Sequence, residues 1–306
     1  MAQERGAGGR DRRPSGPRGG SGPKPGTGRG SGDRRGGRDD RSDRGGRRPE
    51  RGGDRSQRGG YQGSKPDGLT REERTEAQAR YDGPPLPEEI TGKELDRSVL
   101  AQLRSLPEKL GQRVARHLAA AGAIIDEDPK TAYQHTLAAR ARASRLAVVR
   151  EAVGEAAYAA GEYSEALTEL RAARRMNGAQ DYLAVMADCE RALGRPDRAL
   201  DLVRKAPREG LSNDLKAELT IVEAGARRDR GELDAALRAL ELAPINSKSR
   251  APWVVRLRYA YADTLVAADR ESDALEWFHR TEAIDAEELT DAAERAQELE
   301  ARLGDA

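Results

Sequence analysis

Five Arg-Gly-Gly triplets are the residues of this sequence most plainly suited to a chemical task. Arg18, Arg35, Arg44, Arg51 and Arg58 each precede a pair of glycines. A guanidinium offers a planar fork of donors that grips phosphate oxygens and stacks on exposed bases. The glycines let the backbone follow an irregular polyanion. Asp33, Asp39, Asp40, Asp43, Glu50 and Asp54 dilute the charge, and Tyr61 is the only aromatic residue of the segment. Any stacking must therefore come from arginine. The segment reads either as a contact for nucleic acid or as a solvated spacer.

Groups that could catalyse are present but do not assemble into a motif. His117, His135 and His279 are scattered along the chain, and none has a second histidine at i+4, so the His-Glu-x-x-His zinc pattern is missing. Cys189 is the lone cysteine. One sulfur can form neither an intramolecular disulfide nor a thiolate zinc site. Its neighbours Met186 and Leu193 mark it as a core thiol rather than a nucleophile. Gly92-Lys93 lacks the upstream glycine of a phosphate loop and is followed by Glu94. The Gly-x-Ser-x-Gly elbow is also missing. The chain is expected not to be an enzyme and to need no cofactor.

Charge divides the chain. Residues 1–65 hold 18 Lys+Arg against 8 Asp+Glu and the remainder 36 against 45, so a whole-chain charge of +1 conceals a basic arm and an acidic body. No Val, Ile or Phe occurs before residue 69. With no core to offset chain entropy, residues 1–68 are expected to be disordered. They resemble the Arg-Gly-Gly segments of RNA-binding proteins, which implies contact with single-stranded RNA with little sequence preference. The start, Met-Ala-Gln-Glu-Arg-Gly, has no apolar run, so no secretory signal is expected. The longest apolar stretch, about Leu118 to Ile125, is far short of the roughly 20 residues that span a bilayer. A cytoplasmic location without membrane contact is expected.

Residues 69–89 form a transition in which Leu69 to Tyr81 could make a short polar helix, ended by Pro84-Pro85-Leu86-Pro87. From about residue 90 to 306 the pattern is alanine- and leucine-rich, and strand-like alternation is missing. Its breaks recur. Ala160-Gly161-Glu162-Tyr163-Ser164-Glu165-Ala166-Leu167 is echoed by Leu193-Gly194 through Ala199-Leu200, by Arg230-Gly231 through Ala236-Leu237, and by Ala268-Asp269 through Ala274-Leu275. Ala166, Ala199, Ala236 and Ala274 stand in register, and Ala132 marks a weaker copy upstream.

These residues resemble the tetratricopeptide repeat, a helix–turn–helix of about 34 residues. The resemblance implies an all-α solenoid of about five hairpins. It places Gly154 where two helices approach closely, Gly161 in the turn, Tyr163 against it, and Ala166, Leu170 and Ala173 along the helix-B seam. Gly194, Ala199, Gly231, Ala236, Ala274 and Phe278 fill matching places in later repeats. The sequence departs from the pattern at Ala187, Ala224 and Ala262, which replace the glycine of Gly154. Longer loops are expected near 208–212 and 245–249, and a polar capping helix from Ala286 to Leu303.

The resemblance further implies a concave, helix-A surface that binds a protein or peptide. In the register of the alanines this surface holds Glu151, Glu155, Tyr158, Asp181, Asp188, Arg191, Ile221, Gly225, Arg228, Tyr259 and Asp263. Glu151 and Glu155 are like charges one turn apart and repel by a few tenths of a kcal/mol, about what a cation between them would relieve. They read either as a seat for a basic ligand or as a solvated acidic face. A clamp for carboxylate-terminated peptides is not expected, because Glu151, Glu155 and Asp188 stand where it needs Lys, Asn and Arg. Two functions follow as expectations: a protein-interaction scaffold, or an RNA-associated accessory protein whose arm binds RNA while the solenoid docks a partner.

Overall fold

The computed structural model describes residues 73, 76, 80–207 and 209–304; the Arg-Gly-Gly triplets lie outside them. Among the described residues there are twelve α-helices and no strand. Helix α1 (Arg97–Leu103) leads into five hairpins: α2 (Glu108–Ile124) with α3 (Pro129–Ala143), α4 (Ala147–Ala159) with α5 (Tyr163–Asn177), α6 (Leu183–Ala192) with α7 (Pro196–Arg204), α8 (Asn213–Asp229) with α9 (Leu233–Glu241), and α10 (Pro252–Ala267) with α11 (Glu271–Glu282). Helix α12 (Ala292–Gly304) packs on α11 and closes the series. Glu73, Glu76 and Arg80 are helical as well.

Local chemistry sets the helix boundaries. Asp128 Oδ1 accepts from Thr131 N at 3.0 Å and Ser212 Oγ from Leu215 N at 3.1 Å, so each caps an exposed helix start. Proline stands in the first turn of α3, α7 and α10, where its missing N–H costs nothing. Pro207 and Pro244 follow α7 and α9 and stop both helices early. The chain between them and the next helices makes the longer loops. Arg258 ties down the second of these by donating to Ile245 O at 2.8 Å and Ser247 O at 2.9 Å.

The turns inside hairpins two to five are copies of one geometry. Gly161, Gly194, Gly231 and Asp269 all have positive φ, at 80°, 70°, 74° and 58°. The next amide reaches back five residues each time: Glu162 to Ala157 O, Arg195 to Glu190 O, Glu232 to Arg227 O and Arg270 to Leu265 O, at 2.8–3.0 Å. This closes the orphan carbonyls at the end of the first helix. Three turns use glycine, and one asks an aspartate to adopt the left-handed conformation.

Small residues carry the seam between helices. Ala132, Ala166, Ala199, Ala236 and Ala274 are all 0 % exposed. Leu170, Leu240 and Phe278, one turn on, are also buried. Buried side chains separate into four successive clusters rather than one central core, as nearest-neighbour stacking requires. Tyr259, Trp253 and Trp277 pack partly buried against the last cluster.

Two segments differ from the sequence expectation. The capping helix starts at Ala292, not Ala286. The Asp285 carboxylate accepts from Leu289 N at 2.8 Å, Thr290 N at 2.9 Å and Thr290 Oγ1 at 2.7 Å, and Glu288 has φ 52°. These contacts favour a turn before the helix can begin. The segment read as a linker is, from Tyr81 onward, bound to the first hairpin. Arg142 donates to Tyr81 O at 2.6 Å, and Arg116 to Ile90 O at 2.6 Å and Pro87 O at 2.7 Å. No helix of the described residues is long and apolar enough to cross a membrane.

Candidate functional site

The helix-A residues singled out above form a ladder of contacts from one hairpin to the next. Tyr158 of α4 donates to Asp188 Oδ2 of α6 at 2.6 Å. Arg191, one turn beyond Asp188, holds Asp188 Oδ1 at 2.8 Å and reaches Asp229 of α8 at 2.9 Å. Arg228 of α8 pairs with Asp263 of α10 at 2.6 Å, and Arg295 of α12 pairs with the same carboxylate at 3.1 Å.

One rule generates these rungs. Tyr158, Arg191 and Arg228 each lie four residues after the small helix-A residue of their hairpin, Gly154, Ala187 and Ala224. Their targets lie one residue after that small position in the next hairpin: Asp188, Gly225 and Asp263. At Gly225 the acceptor is missing. A Cβ there would stand 2.5 Å from Arg191 Nη1, so glycine gives the guanidinium room to pass over α8 to Asp229. Gly154 serves packing instead: a Cβ would stand 2.5 Å from Leu170 Cγ.

The electrostatics follow from the pairing. Burial alone would raise the Asp263 carboxyl, but hydrogen bonds and charge from Arg228 and Arg295 outweigh it and hold the group below the usual carboxylate range. Burial, and then the bond to Asp188, push the Tyr158 phenol well above its ordinary value. Tyr259 is pushed up to about 12 by burial and by the bond to Asp291; its ring meets Phe278 edge-on at 5.7 Å. Arg295 lies over Phe278, 5.1 Å from the ring centre.

Glu151 and Glu155 differ from Asp188, Asp229 and Asp263. Glu151 accepts from Asn177 Nδ2 at 2.6 Å and Glu155 from Tyr182 Oη at 2.8 Å. Neither has a cation within ion-pair distance among the described residues, while Asp188, Asp229 and Asp263 each have an arginine. Glu155 keeps solvent access, yet its packed surroundings desolvate the carboxyl enough to raise it above the ordinary range, and Glu151 adds to the effect. Asp181 is exposed beside Tyr182. Ile221 packs against the last apolar cluster.

A second set of charges lies inside the stack. Glu169 of α5 is buried, with Arg140 of α3 at 2.6 Å and Arg150 of α4 at 2.5 Å. Glu190 of α6 is 0 % exposed and pairs with Arg171 of α5 at 2.6 Å. Cys189 is buried, and burial pushes its thiol up to about 12, which leaves no thiolate for nucleophilic work. No cluster of three or more metal-ligating side chains occurs among the described residues.

Two of these features were missed in the sequence. His117 and His135 are not scattered: the α2–α3 hairpin sets their Nδ1 atoms 3.0 Å apart in the interior. The ladder was missed because its partners are distant in sequence. A signal was present, however: Tyr158–Asp188, Arg191–Asp229, Arg228–Asp263 and Arg295–Asp263 are separated by 30, 38, 35 and 32 residues, about one hairpin each. Complementary polar residues one hairpin apart would have shown it. The chain matches no protein-family model and no curated protein.

Proposed function

We propose that this chain is a non-enzymatic protein-interaction scaffold of tetratricopeptide type, and that its helix-A surface takes a basic segment of a partner. The repeat reading is supported by the recurring turn, the fully buried alanine of each hairpin and the close approach at Gly154. One observation carries the choice of ligand. Asp188 has Arg191 of its own helix, and Asp229 and Asp263 have arginines of neighbouring hairpins, whereas Glu151, Glu155 and the exposed Asp181 have none among the described residues. A lysine or arginine of a partner would relieve the repulsion between them and lower the raised Glu155 carboxyl.

The test is affinity capture with the full chain, followed by quantitative binding of the captured partner. The double variant Glu151→Gln/Glu155→Gln should weaken binding about tenfold, as expected for loss of one charge-assisted contact of about 1.4 kcal/mol. Unchanged affinity would remove the docking reading.

A second reading rests on the five Arg-Gly-Gly triplets, in which the arm binds single-stranded RNA and the helical body docks a partner. Such binding should weaken steeply as salt rises, because each neutralised phosphate releases counterions. Salt-insensitive binding, or none, would leave the arm as a spacer.

A further inference from the structure

The first hairpin carries a concentration of positive charge that the scaffold reading does not use. Residues 82–87 cross α2 and leave a cleft of about 460 Å³. Lys109, Arg113 and Arg116 line it from successive turns of α2, and His117 lines it from within. Arg142 of α3 stands behind, bound to Asp82. Among the described residues Asp82 is the one carboxylate lining the cleft, and Arg113 shares it at 3.0 Å. The other acceptors for these arginines are the carbonyls of Tyr81, Pro87, Ile90 and Ala138. Carbonyls satisfy donors but cancel no net charge. Among the described residues, four cations therefore meet one carboxylate.

The inner wall is incomplete in hydrogen bonding as well. His117 is 1 % exposed. Its Nδ1 is used by His135, and its Nε2 has no partner among the described residues. The Cε1 edge of the ring faces Gly83: a Cβ on that residue would stand 3.2 Å from His117 Cε1 and 2.6 Å from Ala138 Cβ, and φ is 77°. Glycine is thus required both by space and by conformation, and it brings the crossing segment down onto the ring. A buried polar atom left unpaired is costly.

We propose that this cleft is a binding site for a small oxyanion of the phosphate class, held by Lys109, Arg113 and Arg116 with His117 at its inner end. Several oxygens and more than one negative charge match three cations on successive turns better than a single carboxylate does. The volume suits a small phosphorylated molecule. Lys109 and Arg113, exposed at the mouth, form the entrance. The anion's charge acts on His117 through the cleft whether or not an oxygen reaches Nε2. Burial, then His135, Arg113, Arg142 and Arg116, push His117 down to about 4; an anion among the same cations opposes that push.

The experiment is an NMR titration of the histidine rings of the full chain at fixed ionic strength. One series contains sodium chloride and the other sodium sulfate, which stays doubly charged across the range. Sulfate should raise the His117 midpoint by about one pH unit, a tenfold coupling, and the rise should saturate with concentration. Pyrophosphate should bind the same site at neutral pH and compete with sulfate. Lys109→Gln, which removes a side chain with no ion pair among the described residues, should weaken sulfate several-fold and leave the chloride titration unchanged. Adding Arg113→Gln should abolish the effect. Equal His117 titrations in chloride and sulfate would overturn the proposal. So would a His117 response to sulfate that survives both substitutions.

Discussion

Gly154 of α4 and Leu170 of α5 are packed so closely that a methyl group on Gly154 would stand 2.5 Å from Leu170 Cγ. At Gly225 the three atoms nearest to an added methyl group all belong to the guanidinium end of Arg191. Both glycines lie inside helices, where alanine is favoured by about 1 kcal/mol. Overpacking of a full core costs about 1–3 kcal/mol, while a displaced surface ion pair costs about 0–1 kcal/mol. Gly154→Ala should therefore destabilise the protein by about 1 kcal/mol, and Gly225→Ala should be neutral within about 0.5 kcal/mol. Urea unfolding of the two variants checks the contrast.

Asp269 occupies the turn position that glycine holds in three other hairpins, at φ 58°. A side chain in the left-handed region carries a strain of about 1 kcal/mol, less for aspartate than for most residues. Asp269→Gly should raise stability by about 0.5 kcal/mol. Gly231→Ala should lower it by about 1 kcal/mol, for conformation alone, since nothing lies within 4 Å of the added Cβ. Thermal melts of both variants would show shifts of opposite sign.

Glu169 joins the first two hairpins through Arg140 and braces its own hairpin through Arg150. Removing one member of a buried ionic cluster strands the others, at a cost of about 3 kcal/mol. Glu169→Ala should show that loss. Glu165→Ala, at the more exposed edge of the same cluster, should cost under about 1 kcal/mol. Hydrogen exchange should place the first loss of protection at the α3–α5 contact.

His117 makes stability depend on pH. Its folded value of about 4 lies below the ordinary 6.5, so the unfolded chain binds the additional proton between those values. The contribution is complete above pH 6.5 and is lost as pH falls toward 4, to an extent of about 3 kcal/mol. His135 shifts in the same direction. The difference in unfolding free energy between the wild type and His117→Phe, followed from pH 7 to pH 4 in chloride, should shrink across that window.

The hairpins were legible in the sequence because their turns obey local rules. A left-handed residue before two or three polar ones and a buried alanine announces itself within eight positions. Relations that depend on stacking were not legible locally. His117 and His135 meet only because α2 and α3 fold back on each other, and no i+4 pattern marks them. Asp285 delays the last helix through side-chain bonds to residues four and five ahead, which an apolar pattern does not record. Helix-A positions were assigned by register, but their charges balance across the gap between hairpins. The pairing of Asp263 with Arg295 could be found only by treating α12 as one more hairpin partner.

The ladder bears on how such a chain can be shortened. Arg191 and Arg228 occupy the same place on successive helices, and Asp263 occupies the place that Gly225 holds one hairpin earlier. Excising 213–250, a whole hairpin with its loop, would set Arg191 opposite Asp263 and leave α12 to supply Arg295 as before. A cut that shifted this register would move Arg191 away from Asp263. The hairpin is thus the unit in which the ladder pairs its charges as well as the unit of packing.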